Sequence, residues 1–372
     1  MKIGIDCRTM GDADGISVYT GQLVKNLLKI DGHNNYVLFL NQGQNLPLAL
    51  PANAEISFFP FPAAKRFLPF VYSQYLVSWF LRRARLDICF FPANTLPLFY
   101  FQSSIITVHD LAVYKHPEFF PDRLFNFDRK ITVPISIRRA KKIIAVSQST
   151  KNDLLEIFKV KPEKIQVVYE GAGESGEELQ EELERVKYFL FLGTIEPRKN
   201  LVRLIQAYTK FVQSAEGETK NIKLILAGKS GWKNQEIFTA IDNANTKLGR
   251  PIVEYIGSVM AEKKSRLMAG ALALVFPSLY EGFGLPALEA MAAGAPVITS
   301  NISSLPEITG DAAILVNPLD EIEITAAMEK IATDENLRRT LKEKGQKKAQ
   351  EFSWEKCAQE TLAIMTSTGR RD

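Results

Sequence analysis

The chain has 372 residues, 46% of them hydrophobic and 24% charged, with a formal net charge of +4. Single hydrophobic cores stop growing near ~250–300 residues, so two domains are expected, and the balanced composition excludes disordered and collagen-like classes. The basic excess lies in residues 1–170, with 21 Lys/Arg against 14 Asp/Glu, whereas residues 171–372 hold 25 against 28. These bases are dispersed and carry no recognisable nucleic-acid motif, so nucleic acid is not an expected partner. An anionic lipid, a phosphorylated acceptor or mere solubility all remain open as reasons for the basic half.

The opening MKIGIDCRT turns charged after a few apolar residues, as a buried strand does and the apolar core of a signal peptide does not. Cys7, Cys89 and Cys357 are scattered and form no C-x-x-C pair, which argues against a disulfide framework or zinc site and for a reducing, cytoplasmic setting. After this strand Gly11 and Gly15 mark a loop, and Ile16 to Leu28 has helical spacing. Such a loop delivers backbone N–H groups and a helix N-terminus, as phosphate binding requires, although glycine turns also join strands to helices for structural reasons alone. Asp12 and Asp14 have no further carboxylate or histidine to complete a divalent shell and read as loop solvation; no metal site is expected.

The stretch FLPFVYSQYLVSWFL, Phe67 to Leu81, is interrupted by Pro69, Ser73, Gln74 and Ser78 and falls short of the ~20 residues that span a bilayer. Flanked by Lys65, Arg66, Arg82, Arg83 and Arg85, it reads either as a segment lying on an anionic membrane face or as a core-packed helix with snorkelling ends. The core-packed reading is favoured. Further on, His109 and Asp110 follow the apolar run SIITV, and a histidine at the carboxyl end of a strand is placed to touch a ligand, though a lone histidine is often structural.

Short Ile-, Val- and Phe-rich runs (KIGID, YVLFL, DICFF, SIITV, KKIIAVS) alternate with helical patterns in the first half, and KYFLFLGTI, IKLILAG, IVEYIG, LALVFPS and APVITS repeat the logic in the second. That alternation predicts an α/β chain of two doubly wound units with parallel sheets. Between them EGAGESGEELQEELERV, Glu170 to Val186, is glutamate-rich and nearly free of large apolar residues; it reads as a linker without a chemical role. The expected division is therefore 1–170, a linker over 171–186, 187–351 and a last helix over 352–372. Ser353 is placed to cap that helix, with Cys357, Leu362 and Ile364 on or near one face. Two such lobes facing each other form a cleft at the carboxyl ends of their sheets, where ligands bind.

In GTIEPRKN, Arg198 and Lys199 offer two positive charges suited to a diphosphate, and cations at a helix start oppose its dipole unless an anion joins them. In LYEGFGLPALEAMAAG, Gly282 and Gly284 permit close backbone approach to a ligand, and Pro286 suits the first turn of a helix. Glu281 stands before that helix and Glu289 within its first turns, so one corner presents two acceptors for two hydroxyl-bearing parts of one ligand. A sugar and a ribose flanking a diphosphate meet that demand. Glycoside hydrolysis needs a carboxylate on each side of the bond, which one loop and helix provide poorly.

With YEGFGLPALEAMAAGAPVITS, GTIEPRKN, VHD, VSQSTKNDL and FSWEKCAQETL in place, the sequence resembles the retaining glycosyltransferases of family 4 over essentially its whole length. The resemblance implies the GT-B fold of two facing Rossmann-like domains, with the C-terminal helix crossing back to the first. It implies that Glu281 and the Gly282, Phe283, Gly284 and Leu285 backbone hold the donor sugar, Glu289 the ribose, and Arg198 and Lys199 the diphosphate. His109 would lie beside the donor sugar and Gly15 would face the phosphates. The family often has two adjacent glycines in the first loop, whereas here Asp14 precedes Gly15. Anomeric retention without cofactor or obligatory metal is also implied, with a nucleotide sugar as donor substrate and a glycan or lipid-linked acceptor. Similarity to bacterial mannosyltransferases favours GDP-mannose, followed by UDP-glucose, UDP-N-acetylglucosamine and dTDP-rhamnose. The competing readings are a GT-B sugar-nucleotide epimerase, a phosphorylase, or a non-catalytic nucleotide-sugar-binding subunit. A cytoplasmic protein is expected, with peripheral contact to an anionic membrane left open.

Overall fold

The computed structural model describes residues 1–11, 15–45, 49–173 and 187–369. The chain divides into two compact units, Met1–Lys115 with Asp122–Gly171 and Ser353–Asp372, and His116–Pro121 with Ala172–Phe352. Asp12 and Asp14 lie outside the described residues, as does the 174–186 part of the expected linker.

The first unit is built on seven strands: β1 (Lys2–Asp6), β2 (Asn35–Asn41), β3 (Ala54–Phe59), β4 (Ile88–Phe91), β5 (Ser104–Val108), β6 (Lys142–Ala145) and β7 (Ile165–Val167). They form one parallel sheet in the order β3-β2-β1-β4-β5-β6-β7. Every residue of β4 and β5 is buried, as expected for strands covered on both faces. The Gly15–Ile30 helix buries Tyr19, Leu23, Val24 and Leu27, one face at helical spacing. The Trp354–Gly369 helix packs against it, with the rings of Tyr19 and Trp354 5.9 Å apart. Ser353 Oγ accepts from the Lys356 N–H at 3.1 Å, and Cys357 and Ile364 are buried while Leu362 is half-buried.

The second unit holds β8 (Tyr188–Leu192), β9 (Lys223–Ala227), β10 (Val253–Tyr255), β11 (Ala273–Phe276), β12 (Val297–Ser300) and β13 (Ile314–Val316). These make a parallel six-stranded sheet in the order β10-β9-β8-β11-β12-β13. Its order reverses between β8 and β11, which are hydrogen-bonded neighbours, so the loops leaving their carboxyl ends lie at the switch point where open α/β sheets bind ligands. The loop after β9 closes on the same place, because Gly228, at φ +144°, lies so near Gly193 that an added Cβ would meet the Gly193 carbonyl oxygen at 1.9 Å.

Two expectations are corrected here. The first domain is not continuous over 1–170, because His116–Pro121 groups with the second unit. Trp232 Nε1 donates to Phe119 O at 2.8 Å and Lys233 Nζ to Glu118 O at 2.7 Å, backbone hydrogen bonds that no side-chain pattern announces. The stretch from Phe67 to Leu81 is not simply core-packed. It lies in helical turns reaching Arg83, interrupted by a wider turn over Tyr72–Leu76, and buries Tyr72, Val77 and Leu81 while Phe70, Tyr75 and Trp79 stay exposed. Among the described residues no helix is long and apolar enough to cross a membrane.

Candidate functional site

In the second unit β8 ends at Leu192, and Pro197–Lys199 forms a short 3-10 turn before the Leu201–Ser214 helix. Arg198 and Lys199 thus precede the helix rather than occupy its first turn. Asn200, in the left-handed region at φ +62°, reverses the chain between turn and helix, and its Nδ2 donates to Pro277 O at 3.1 Å and Pro318 O at 2.6 Å. The Leu279 N–H donates to Arg198 O at 2.9 Å, tying the loop after β8 to the loop after β11.

The second loop is fixed from beneath. Ser304 Oγ donates to Glu281 O at 3.0 Å and Phe283 O at 2.8 Å, and the Glu281 N–H donates to Ser303 Oγ at 3.1 Å. Gly284, at φ +106°, is the N-cap of the Leu285–Ala292 helix, with Pro286 in its first turn and no side-chain cap. Glycine is needed there, since a Cβ would be strained and would meet Leu305 Cδ2 at 2.8 Å. The helix therefore points its positive dipole end at the loop. Gly282 and Phe283 are buried, with the Phe283 ring edge-on to Phe352 at 6.0 Å, and Leu285 is half-buried.

These loops bring Arg198, Lys199 and Glu281 together. Lys199 Nζ donates to Glu281 Oε1 at 2.5 Å and lies 4.9 Å from the centre of the Phe276 ring, and Arg198 Nη1 donates to Glu281 Oε2 at 3.0 Å and Tyr280 O at 2.7 Å. Arg198 also meets Glu196, with Nε donating at 3.0 Å and Nη2 at 2.8 Å to its Oε1. Lys199 and Glu281 are 6% and 7% exposed, so this is a buried network rather than a surface pair. Burial by itself pushes the Glu281 carboxyl up, but Arg198 and Lys199 outweigh it and hold its pKa at about 2. Burial and the neighbouring Arg198 lower the Lys199 ammonium, an effect that Glu281 and Glu196 oppose. The anion that stabilises the two cations here is thus Glu281 itself. Glu196 completes a balanced set of two cations and two anions, a role that its place two residues before Arg198 does not announce in sequence.

Glu289 lies in the Leu285–Ala292 helix and pairs through Oε2 with Lys264 Nζ at 2.5 Å. Among the described residues no three His, Cys, Asp or Glu side chains are grouped as a metal site would need.

In the first unit Gly15 opens its helix and is exposed. His109, just beyond β5, is half-buried and held on every side. Its Nδ1 is 3.3 Å from Glu170 Oε1, its Nε2 is 3.1 Å from Pro92 O, its backbone N–H donates to Asn94 Oδ1 at 2.8 Å, and Tyr19 packs edge-on at 4.7 Å. Burial opposes the imidazolium, yet the Glu170 carboxylate and the Pro92 carbonyl raise the His109 pKa overall. An acceptor at each nitrogen favours the form of the ring that donates twice. Glu170, 4% exposed, is therefore no part of a solvated linker; its signal in the sequence was the apolar run VVY before it, not the glutamates after it.

Residues 13–172 match the family model described as Glycosyltransferase Family 4, and residues 176–348 match the one described as Glycosyl transferases group 1. The chain is 33% identical over 273 residues to O-antigen chain mannosyltransferase B of Escherichia coli, an overlap covering 70% of this chain and 69% of that protein. The chain belongs to glycosyltransferase family 4. Another relative in curated sequences, the O-antigen chain mannosyltransferase RfbU of Salmonella typhimurium, is 30% identical over 240 residues, with 64% of this chain and 63% of that protein covered. The chain thus spans slightly less than two thirds of that relative. The crystal structure of Anabaena HepE in complex with UDP and glucose superposes with a TM-score of 0.72 at 19% identity, covering 99% of this chain and 100% of that one, which establishes the shared GT-B fold. As a family 4 glycosyltransferase, the chain has its buried Arg198, Lys199 and Glu281 network inside the segment that matches the group 1 model.

Proposed function

We propose that this family 4 glycosyltransferase transfers mannose from GDP-mannose to a glycan or lipid-linked acceptor in polysaccharide or cell-envelope synthesis, with retention at the anomeric carbon and no obligatory metal. The observation that carries the donor site is the buried Lys199–Glu281–Arg198 network at the switch point of the second sheet, beside an uncapped helix N-terminus. Mannose is supported by the mannosyltransferase names of the two relatives above. The UDP and glucose in the HepE structure make UDP-glucose the competitor to exclude.

In this reading the Lys199 ammonium and the Arg198 guanidinium share their positive charge between Glu281 and the diphosphate of the donor. Their attraction for the diphosphate grows as the bond from the anomeric carbon to the phosphate oxygen breaks, so they stabilise the transition state more than the ground state. The Glu281 carboxylate, held ionised, accepts from donor hydroxyls, and Glu289, exchanging part of its bond to Lys264, accepts from the ribose. The Gly282–Leu285 backbone sets the distance between sugar and helix dipole. The acceptor oxygen attacks the oxocarbenium-like carbon on the face the leaving group vacates, and its proton passes to the departing phosphate oxygen.

The test is transfer from GDP-mannose to a bacterial membrane lipid extract in EDTA, with the product linkage read by NMR. An α-linked mannoside formed from the α-linked donor supports the reading. A β-linked product overturns retention, and transfer from UDP-glucose but not GDP-mannose overturns the donor.

A further inference from the structure

The helical stretch over 62–83 in the first unit, apolar in sequence but too short to span a bilayer, turns its exposed face outward with aromatic rather than polar side chains. Phe67, Phe70, Tyr75 and Trp79 are 72%, 46%, 48% and 44% exposed. Two neighbouring segments extend that face. Phe127, 40% exposed, packs edge-on against Phe70 at 5.3 Å, and Phe99 stacks on Tyr75 at 3.8 Å, two residues before Phe101, which is 66% exposed. Ring contacts thus join three segments into one apolar surface, where isolated exposed hydrophobes would need no explanation.

The fringe of this surface is basic. The Arg83 guanidinium lies 3.9 Å from the centre of the Trp79 ring and that of Arg139 lies 4.4 Å from Phe101, cation–π pairs that leave both charges at the edge. Lys65, Arg66, Arg82 and Arg85 add to it, no Asp or Glu occurs from residue 56 to residue 86, and Asp128 is the one acid in residues 125–139. Aromatic side chains set among arginines and lysines match the headgroup boundary of a bilayer, where rings insert and bases meet anionic phosphates. A second copy of the chain is a poorer occupant, because a two-fold contact would set this basic fringe against itself.

We propose that this face of the first unit docks on a bilayer carrying anionic phospholipid, without crossing it. The docking does not rest on the donor chemistry, and its test needs no nucleotide sugar.

The full-length protein is sedimented with vesicles of phosphatidylcholine alone or with about 30% phosphatidylglycerol, beside an Arg82→Glu/Arg83→Glu variant and a Phe67→Ser/Phe101→Ser variant. At about fivefold in partitioning per basic residue near the surface, the wild type is expected to bind the anionic vesicles and the charge variant to bind at least about 30-fold more weakly. The serine variant, altered at the two most exposed rings and so least able to disturb the fold, is expected to lose binding about 10-fold or more, with its melting temperature unchanged. Three results overturn the proposal: no binding to anionic vesicles, equal binding to neutral ones, or binding that neither variant weakens. Sedimentation equilibrium without lipid adds a fourth, a dimer abolished by the serine variant, which would make the face an interface between copies.

Discussion

At the scale of residues, charge pairing decides what each side chain is able to do. His109 donates toward a buried carboxylate and a carbonyl, so Glu170 sets its protonation. Because the folded-state pKa is raised above the ordinary 6.5, the pair's stabilisation is fully present below that value and is lost as pH rises through the raised one. Replacing Glu170 by Gln is expected to lower the melting temperature most at about pH 5–6 and least at about pH 8–9, followed by thermal unfolding across that range. A difference constant with pH would show that His109 is not held as the cation. Much of this site was legible in the sequence. Arg198, Lys199, Glu281 and His109 each follow a strand, which is enough to nominate them. The mutual neutralisation of Arg198, Lys199 and Glu281 was not legible, because Lys199 and Glu281 are 82 residues apart in sequence and meet only once β8 and β11 pair. Glu196 is not singled out in sequence, and Glu170 reads there as linker, because charge alone does not separate a buried acid from a solvated one.

At the scale of elements, ten of the thirteen described strands were readable as short Ile-, Val-, Leu- or Phe-rich runs, the pattern that burial on both faces produces, whereas the partly exposed edge strands β3, β7 and β13 were not. The helix after β11 was readable from Gly284 and Pro286, and its entry is a place where backbone conformation is tied to the site. A Gly284→Ala variant must carry a Cβ at φ +106° against Leu305, at a cost of about 1–2 kcal/mol. Calorimetry is expected to show a melting temperature lower by roughly 2–8 °C, with nucleotide-sugar affinity reduced as well, since the loop carrying Glu281 must shift. Unchanged stability and affinity would separate this turn from the site. The helical stretch over 69–83 was the harder element. Its hydrophobic content matched a core helix, and periodicity alone does not say which of two apolar faces meets the protein. The structure assigns Tyr72, Val77 and Leu81 inward, which leaves the aromatic face outward.

At the scale of the molecule, the chain holds two parallel sheets of similar topology, and the second carries the buried ion network at its switch point. The chain's end returns to its beginning, with Trp354 beside Tyr19, so the first unit is completed by residues some 180 positions after the rest of it. Composition signalled two domains, but the segment His116–Pro121 joins the second unit through backbone carbonyls, which carry no sequence signature. In the proposed function, the Arg198, Lys199 and Glu281 network holds the diphosphate and sugar of a nucleotide-sugar donor. Isothermal titration in EDTA with GDP-mannose, UDP-glucose, UDP-N-acetylglucosamine and dTDP-rhamnose tests it most directly, on the wild type and on a Lys199→Met variant shown by calorimetry to fold. Lys199→Met leaves Glu281 short of one cation and is expected to cost about 3–5 kcal/mol of stability. Binding of GDP-mannose in preference to the others, weakened at least about 100-fold in the variant, is the predicted result. Equal binding to wild type and folded variant, or binding of no nucleotide sugar by either, would contradict the claim.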